Sequence, residues 1–184
     1  MSKTIIIKGK PCSGKSMLIR RIKDKLEINT PHTFIGKESG SKYNYYSNGN
    51  YYLIGKYENN VYGGLDAFHP KGEVVDLIHH IESENENAVI YCEGCITKVY
   101  PYDEKIYLQV DDNVLVENLK NTRQQAMLKR KNLKPFTEEE IAHKLDIFIR
   151  HDKAAINKHY TILPHNTETE REKNFEYVLK LAYN

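Results

Sequence analysis

Eight residues near the N-terminus, Gly9-Lys10-Pro11-Cys12-Ser13-Gly14-Lys15-Ser16, fit the spacing G-x-x-x-x-G-K-[ST]. Residues of these types at this spacing are suited to gripping a polyphosphate. The glycines let the main chain wrap until successive N–H groups point inward. A lysine directly after the second glycine brings a point charge to the outer phosphates, and the hydroxyl that follows suits Mg²⁺. All eight positions are therefore candidate nucleotide-binding residues, with Lys15 also acting on the transferred phosphate and Ser16 a metal ligand. A plain Gly/Ser loop is the bland alternative, and it needs no particular flanks. Here the flanks are the ones the motif requires. Thr4-Ile5-Ile6-Ile7 before it reads as a strand buried on both faces. After it, Met17 to Leu26 is helix-forming, with apolar positions at 18, 19, 22 and 26. A helix starting there adds uncapped N–H groups and the positive end of its dipole.

Three further groups are candidates for the chemistry. Ala88-Val89-Ile90-Tyr91 reads as a second buried strand and runs into Cys92-Glu93-Gly94. In an open α/β sheet the carboxyl ends of neighbouring strands face the ligand, which aims Glu93 at a metal or an attacking hydroxyl. A solvated loop glutamate is the alternative. Asp66 follows Gly63-Gly64-Leu65 and is either an acid–base group for an acceptor hydroxyl or a helix N-cap. Lys120 to Lys134 carries six basic residues, among them Arg123 and Arg130, seven apart and so on one helical face. Such a segment, about 120–136, either closes as a lid over a triphosphate or is a solvated basic face. Arg150 is a further cation on the next helix.

The elements that must position these groups alternate strand and helix. A helix over Val74 to Ile81 precedes the Ala88 strand, and Lys105 to Val110 is a third strand. Asp111 or Asp112 caps the helix after it. Thr137 to Glu140 forms a capping box for a helix reaching about His159, then come a strand at Tyr160 to Leu163 and a helix from Glu170. The pattern predicts a doubly wound α/β fold with a mostly parallel five-stranded sheet in three α/β/α layers. Between Pro31 and Asp66 the pattern turns β-like. Tyr43 to Tyr46 and Tyr51 to Ile54 flank Ser47-Asn48-Gly49-Asn50, a strong hairpin signal. This reads as a hairpin inserted outside the parallel sheet, near the mouth of the site. Seven of the 14 tyrosines lie between Tyr43 and Tyr62, suited either to stacking on a base or to a half-exposed strand.

At 184 residues the chain fits one domain, 1–184. A net charge of +2 confines any nucleic-acid-binding patch to a local region, and no apolar run has the length of a membrane span. Three cysteines, Cys12, Cys92 and Cys95, make no disulfide framework, and a lone C-x-x-C cannot supply four zinc ligands. A cytoplasmic location is the expectation.

Several stretches together resemble one family, the small phage P-loop kinases known as 5-hydroxymethyluracil DNA kinases. The likeness lies in Gly9 to Ser16, in Ile54-Gly55-Lys56-Tyr57-Glu58 leading to Gly63-Gly64-Leu65-Asp66, and in Ile90 to Gly94. It continues through Lys129-Arg130-Lys131 and Lys134-Pro135-Phe136 to Lys144 and Arg150. The resemblance implies a P-loop NTPase fold of the nucleotide-kinase kind and ATP-dependent phosphorylation of a hydroxymethyl pyrimidine in DNA, in the host cytoplasm. More loosely the chain is similar to nucleoside and nucleoside monophosphate kinases. The expected reaction is transfer from ATP, with Mg²⁺, to a nucleobase, nucleotide or DNA acceptor. Lys15, Asp66, Glu93, Arg123 and Arg130 are its catalytic candidates, and Ser16 and Glu93 its metal ligands. A free nucleotide kinase and a non-catalytic NTP-binding regulator are the rival expectations.

Overall fold

The computed structural model describes residues 1–58, 61–63, 72–94, 102–129 and 133–183. In chain order the elements are β1 (Lys3–Gly9), α1 (Lys15–Lys25), β2 (Thr30–Ile35), β3 (Lys42–Asn48), β4 (Tyr51–Ile54), β5 (Lys56–Glu58) and β6 (Val61–Gly63). Then follow α2 (Glu73–Glu84), β7 (Val89–Glu93), β8 (Glu104–Gln109), α3 (Asp112–Lys129), α4 (Glu138–Asn157), β9 (Thr161–Pro164) and α5 (Glu168–Lys180).

The main sheet has the order β2-β3-β4-β7-β1-β8-β9, and β5 and β6 form a separate ribbon. From β4 to β9 the pairings are parallel, while β2, β3 and β4 pair antiparallel. The hydrophobic runs explain the centre. Ile6 of β1 lies in a core with Val74, Leu77, Ile78 and Ile81 of α2 and Ala155 of α4. Its neighbours Ile5 and Ile7 lie in a second core, with Leu18, Ile19 and Ile22 of α1 and Val178 and Leu179 of α5. A strand alternates its side chains between faces, so both faces of β1 are covered by helices. The result is an α/β fold with a mostly parallel mixed sheet. No helix among the described residues is long and apolar enough to cross a membrane.

Two expectations need correction. The sheet has seven strands instead of five, because the tyrosine hairpin belongs to it. Asn48 and Tyr51 close that hairpin around Gly49, whose φ of 56° suits glycine. Its second strand, β4, pairs parallel with β7, Tyr51 opposite Val89. The physical reason lies in Leu53 and Ile54, which point to opposite faces and are both fully buried. A strand apolar on both sides must sit inside a sheet covered on both sides. Tyr43 and Tyr45 accordingly lie in one core and Tyr46 in the other, which removes them as a platform for a stacked base.

The β2–β3 wing is fastened to α2 by a carboxylate with no exposed surface. Glu73 accepts from the N–H groups of Glu38 and Ser39 at 3.1 and 2.8 Å and from the Ser39 hydroxyl at 2.9 Å. Burial pushes its pKa up, but these donors and the Tyr43 hydroxyl together outweigh burial and hold it below the usual range. A Cβ on Gly36 would overlap the Glu73 carboxylate, so any larger residue there forces that side chain to shift.

Candidate functional site

The loop from Gly9 to Ser16 joins the buried end of β1 to the start of α1. Two residues in it take positive φ, Cys12 at 62° and Gly14 at 88°, and this turns the chain tightly back on itself. Gly14 caps α1 with no side-chain acceptor, which leaves the first-turn N–H groups for another partner. Gly9 permits a close approach: a Cβ there would lie 2.5 Å from Ser13 Oγ and 2.9 Å from the Leu108 carbonyl. Ser13 Oγ is buried and has no hydrogen-bond partner among the described residues. The apex is braced from α3, where Asn118 Nδ2 donates to the Cys12 carbonyl at 3.2 Å.

The two lysines of the loop point to different places. Lys15 Nζ donates to the loop's own carbonyls, Gly9 at 3.1 Å and Lys10 at 2.8 Å. Lys10 points away from the loop interior and is 2% exposed. Its Nζ lies 2.7 Å from Asp152 Oδ2 of α4 and 3.3 Å from Asp112 Oδ1 at the start of α3. Asp152 also accepts from the Tyr107 hydroxyl at 2.6 Å. Lys10 therefore offers a ligand its main chain alone.

Parallel pairing of β1 with β7 sets Glu93 opposite Ile7, beside the start of the loop. Glu93 is 3% exposed, and its Oε1 accepts from Ser16 Oγ at 2.7 Å and from the Tyr57 hydroxyl at 3.0 Å. The fold thus brings together Lys15, Ser16 and Glu93, three of the residues the motifs single out. Ser16 and Glu93 give two hard oxygens in contact, a set that suits Mg²⁺, which keeps several waters and binds through few protein groups. No group of three or more His, Cys, Asp or Glu side chains able to hold a metal occurs among the described residues.

A cavity of about 580 Å³ opens against the loop. Its walls include Met17 and Leu18 of α1, Asn118 and Thr122 of α3, and His165. Arg123 is not among them. Its Nε donates to the Lys134 carbonyl at 2.7 Å, and its guanidinium lies 4.7 Å from the centre of the Phe136 ring. Lys144 approaches the same ring at 4.9 Å, and Arg150 is exposed on α4. The first half of the basic segment is regular helix, since α3 continues through Lys129. Arg130 and Asp66 lie outside the described residues, as does Cys95. Cys92 points into the core, where burial and then the Glu93 charge push its thiol pKa far up.

No family model matches this chain, and no curated protein matches it. The site therefore has to be read from its own residues. Sequence reasoning did not single out Asp152 or His165, and it read Asp112 only as a helix cap and Tyr57 only within the family-like stretch and the tyrosine cluster. Of the first two, His165 carried a usable signal, because it follows the carboxyl end of β9, where ligands gather in such sheets.

Proposed function

We propose that this chain is an ATP-dependent phosphotransferase that moves the terminal phosphoryl group to a hydroxyl on a nucleobase or nucleotide acceptor. The observation that carries this reading is the Gly9–Ser16 loop between a buried strand and a helix start, with Ser16 and Glu93 in contact beside it. Phosphate oxygens would take over Lys15 from the Gly9 and Lys10 carbonyls that now hold it. The first-turn N–H groups of α1 would complete the grip. Ser16 and Glu93 would hold Mg²⁺, which would supply charge neutralisation on the phosphate tail.

In the transfer, a bond forms from the acceptor hydroxyl oxygen to the terminal phosphorus as the bond to the bridging oxygen breaks. ADP leaves, and the hydroxyl proton passes to Asp66 or Glu93. Catalysis of this kind is mostly positioning and charge stabilisation. Arg123 and Arg130 are the candidates for meeting charge on the transferred group, which requires Arg123 to leave Phe136. The family resemblance points to 5-hydroxymethyluracil in DNA as acceptor. A base in duplex DNA would have to leave the stack to be reached.

The deciding experiment incubates the chain with γ-labelled ATP and, in parallel, hydroxymethyluracil-containing DNA and thymidine monophosphate. Label on the DNA is the expected result. Label on the monophosphate alone identifies a free-nucleotide kinase. Label on neither, with ATP still bound, leaves the regulatory NTP-binding module.

A further inference from the structure

His165 is held more tightly than a loop residue beside a cavity needs to be. Its N–H donates to the Gln109 carbonyl at 2.8 Å, and the side chain is buried, 4% exposed. Its Nδ1 lies 3.0 Å from Asn174 Nδ2. The same Asn174 nitrogen donates to the Pro164 carbonyl at 2.6 Å, which fixes the amide with its NH₂ toward both acceptors. Asn174 is buried too, at 6% exposure. Because an amide NH₂ only donates, Nδ1 must accept, and the ring proton belongs on Nε2. Burial first, then Arg171, then Arg21 oppose a second proton, and Glu170 only partly offsets them, so the pKa falls to about 4. At neutral pH the ring is therefore an uncharged donor with a fixed tautomer.

That donor has no acceptor among the described residues. It abuts the nucleotide loop: a Cβ on Gly14 would lie 2.9 Å from Nε2. His165 also lines the cavity that opens from the loop along Met17 and Leu18. A donor held at a cavity wall with its direction and tautomer fixed is preorganised for a ligand that accepts from it.

We propose that His165 Nε2–H is a specificity-determining contact, donating to an uncharged acceptor on the base of the nucleotide whose phosphates occupy the Gly9–Ser16 loop. The inference rests on the proposed nucleotide site. The base is favoured over the phosphates for two reasons. The phosphates are already served by Lys15 and by the main-chain N–H groups of the loop and helix start, and this neutral ring adds no charge to that grip. The cavity is also larger than a phosphate tail needs, and its size is that of a small-molecule site. Asn174 is then a positioning residue, acting through the tautomer it imposes.

The test compares ATP with inorganic tripolyphosphate, which has the charged tail but no base. Both are titrated with Mg²⁺ by calorimetry into the full chain and three variants. His165→Leu should weaken ATP about tenfold and leave tripolyphosphate unchanged. His165→Gln, which keeps a side-chain N–H, should recover most of that loss, and Asn174→Leu should fall between them. Equal weakening of both ligands would make His165 a scaffold or phosphate contact and overturn the inference. An unchanged ATP affinity in His165→Leu would overturn it as well. If His165→Leu does not fold, Asn174→Leu carries the same comparison. Wild-type protein that binds neither ligand removes the nucleotide site itself, and the inference with it.

Discussion

The two sides of the Gly9–Ser16 loop use the same chemical group for opposite purposes. On the outer side, Lys10 is buried against two carboxylates, Asp112 and Asp152, and Asp152 is further held by the Tyr107 hydroxyl. On the inner side, Lys15 rests on two neutral carbonyl oxygens of its own loop. A cation paired with anions is expensive to move, because separating buried charges leaves each one uncompensated. A cation on carbonyls is readily exchanged for an anionic ligand. The carboxylates differ in place: Glu73 meets its donors in the β2–β3 wing, whereas Glu93 accepts from Ser16 at the loop and from the Tyr57 hydroxyl.

The largest expected effect tests the inner side. Lys15→Ala should lower phosphoryl transfer by roughly 10³-fold or more, since it removes the charge aimed at the transferred group. The melting temperature should change little, because the loop's turn is also held by Gly9, Gly14 and the Asn118 brace, none of which the substitution touches. Turnover by the alanine variant at the wild-type rate, in the labelled-ATP assay, would dissolve the distinction between the two lysines.

Lys10→Met tests the outer side, and its effect should appear in stability. It leaves Asp152, which is largely buried, without its cation, at a cost of about 3 kcal/mol. In a chain of this length that is roughly 6–12 °C in melting temperature. Adding Asp152→Asn removes the stranded charge and should return part of the loss, which a double-mutant cycle reads directly. Strict additivity of the two substitutions would mean that the ion pair does not brace the loop.

The third effect is pH-dependent. Folded His165 has a pKa of about 4 against an ordinary 6.5, so between those values the unfolded chain binds a proton that the folded chain does not. Stability therefore rises with pH across this window. The contribution is complete above pH 6.5 and is lost as the pH falls toward 4, amounting to about 3 kcal/mol at roughly 1.4 kcal/mol per pH unit. Urea unfolding of wild type and His165→Gln at pH 7, 5.5 and 4 should show a steeper decline for the wild type. Glu73, held below the usual carboxylate range, also loses stability in acid, equally in both proteins; Glu170 is held low mainly by the Thr167 and Asn166 N–H groups, which both proteins keep, and only in smaller part by His165.

What the sequence made legible was what neighbouring residues decide. The β1 run, the 18/19/22/26 stripe of α1 and the Thr137–Glu140 box each act within a few residues, and each formed where expected. Glu93 could be placed beside the loop because it ends a strand neighbouring β1, and it does contact Ser16 there. The direction of Lys10 was hidden, since Asp112 is 102 residues away along the chain. The same holds for Glu73, whose donors lie 34 and 35 residues away, and for β4, whose place in the sheet depends on cover from two separate helical layers. Tyrosine type alone could not tell a ring that fills a core from one that meets a ligand. Among the hairpin residues and the short ribbon after them, Tyr57 reaches the site through Glu93.

The smallest effect separates the two helix starts that share one local device. Thr137 and Thr167 each accept from the N–H three residues on, at 3.2 Å, and in each box the glutamate closes back on the cap. Replacing either by Ala should cost about 1 kcal/mol. The consequences for ligand binding should differ. Glu170 also accepts from the N–H of Asn166 at 2.7 Å, so the second box fixes the turn that carries His165. The first begins α4 directly after Phe136, which Arg123 and Lys144 flank. Thr167→Ala should therefore weaken ATP binding a few-fold beyond any change in tripolyphosphate binding, while Thr137→Ala loses the same stability with no such base-dependent difference. If both variants treat the two ligands alike, the His165 turn is not what discriminates them, and the inner side of the loop has to be explained by Lys15, Ser16 and Glu93 alone.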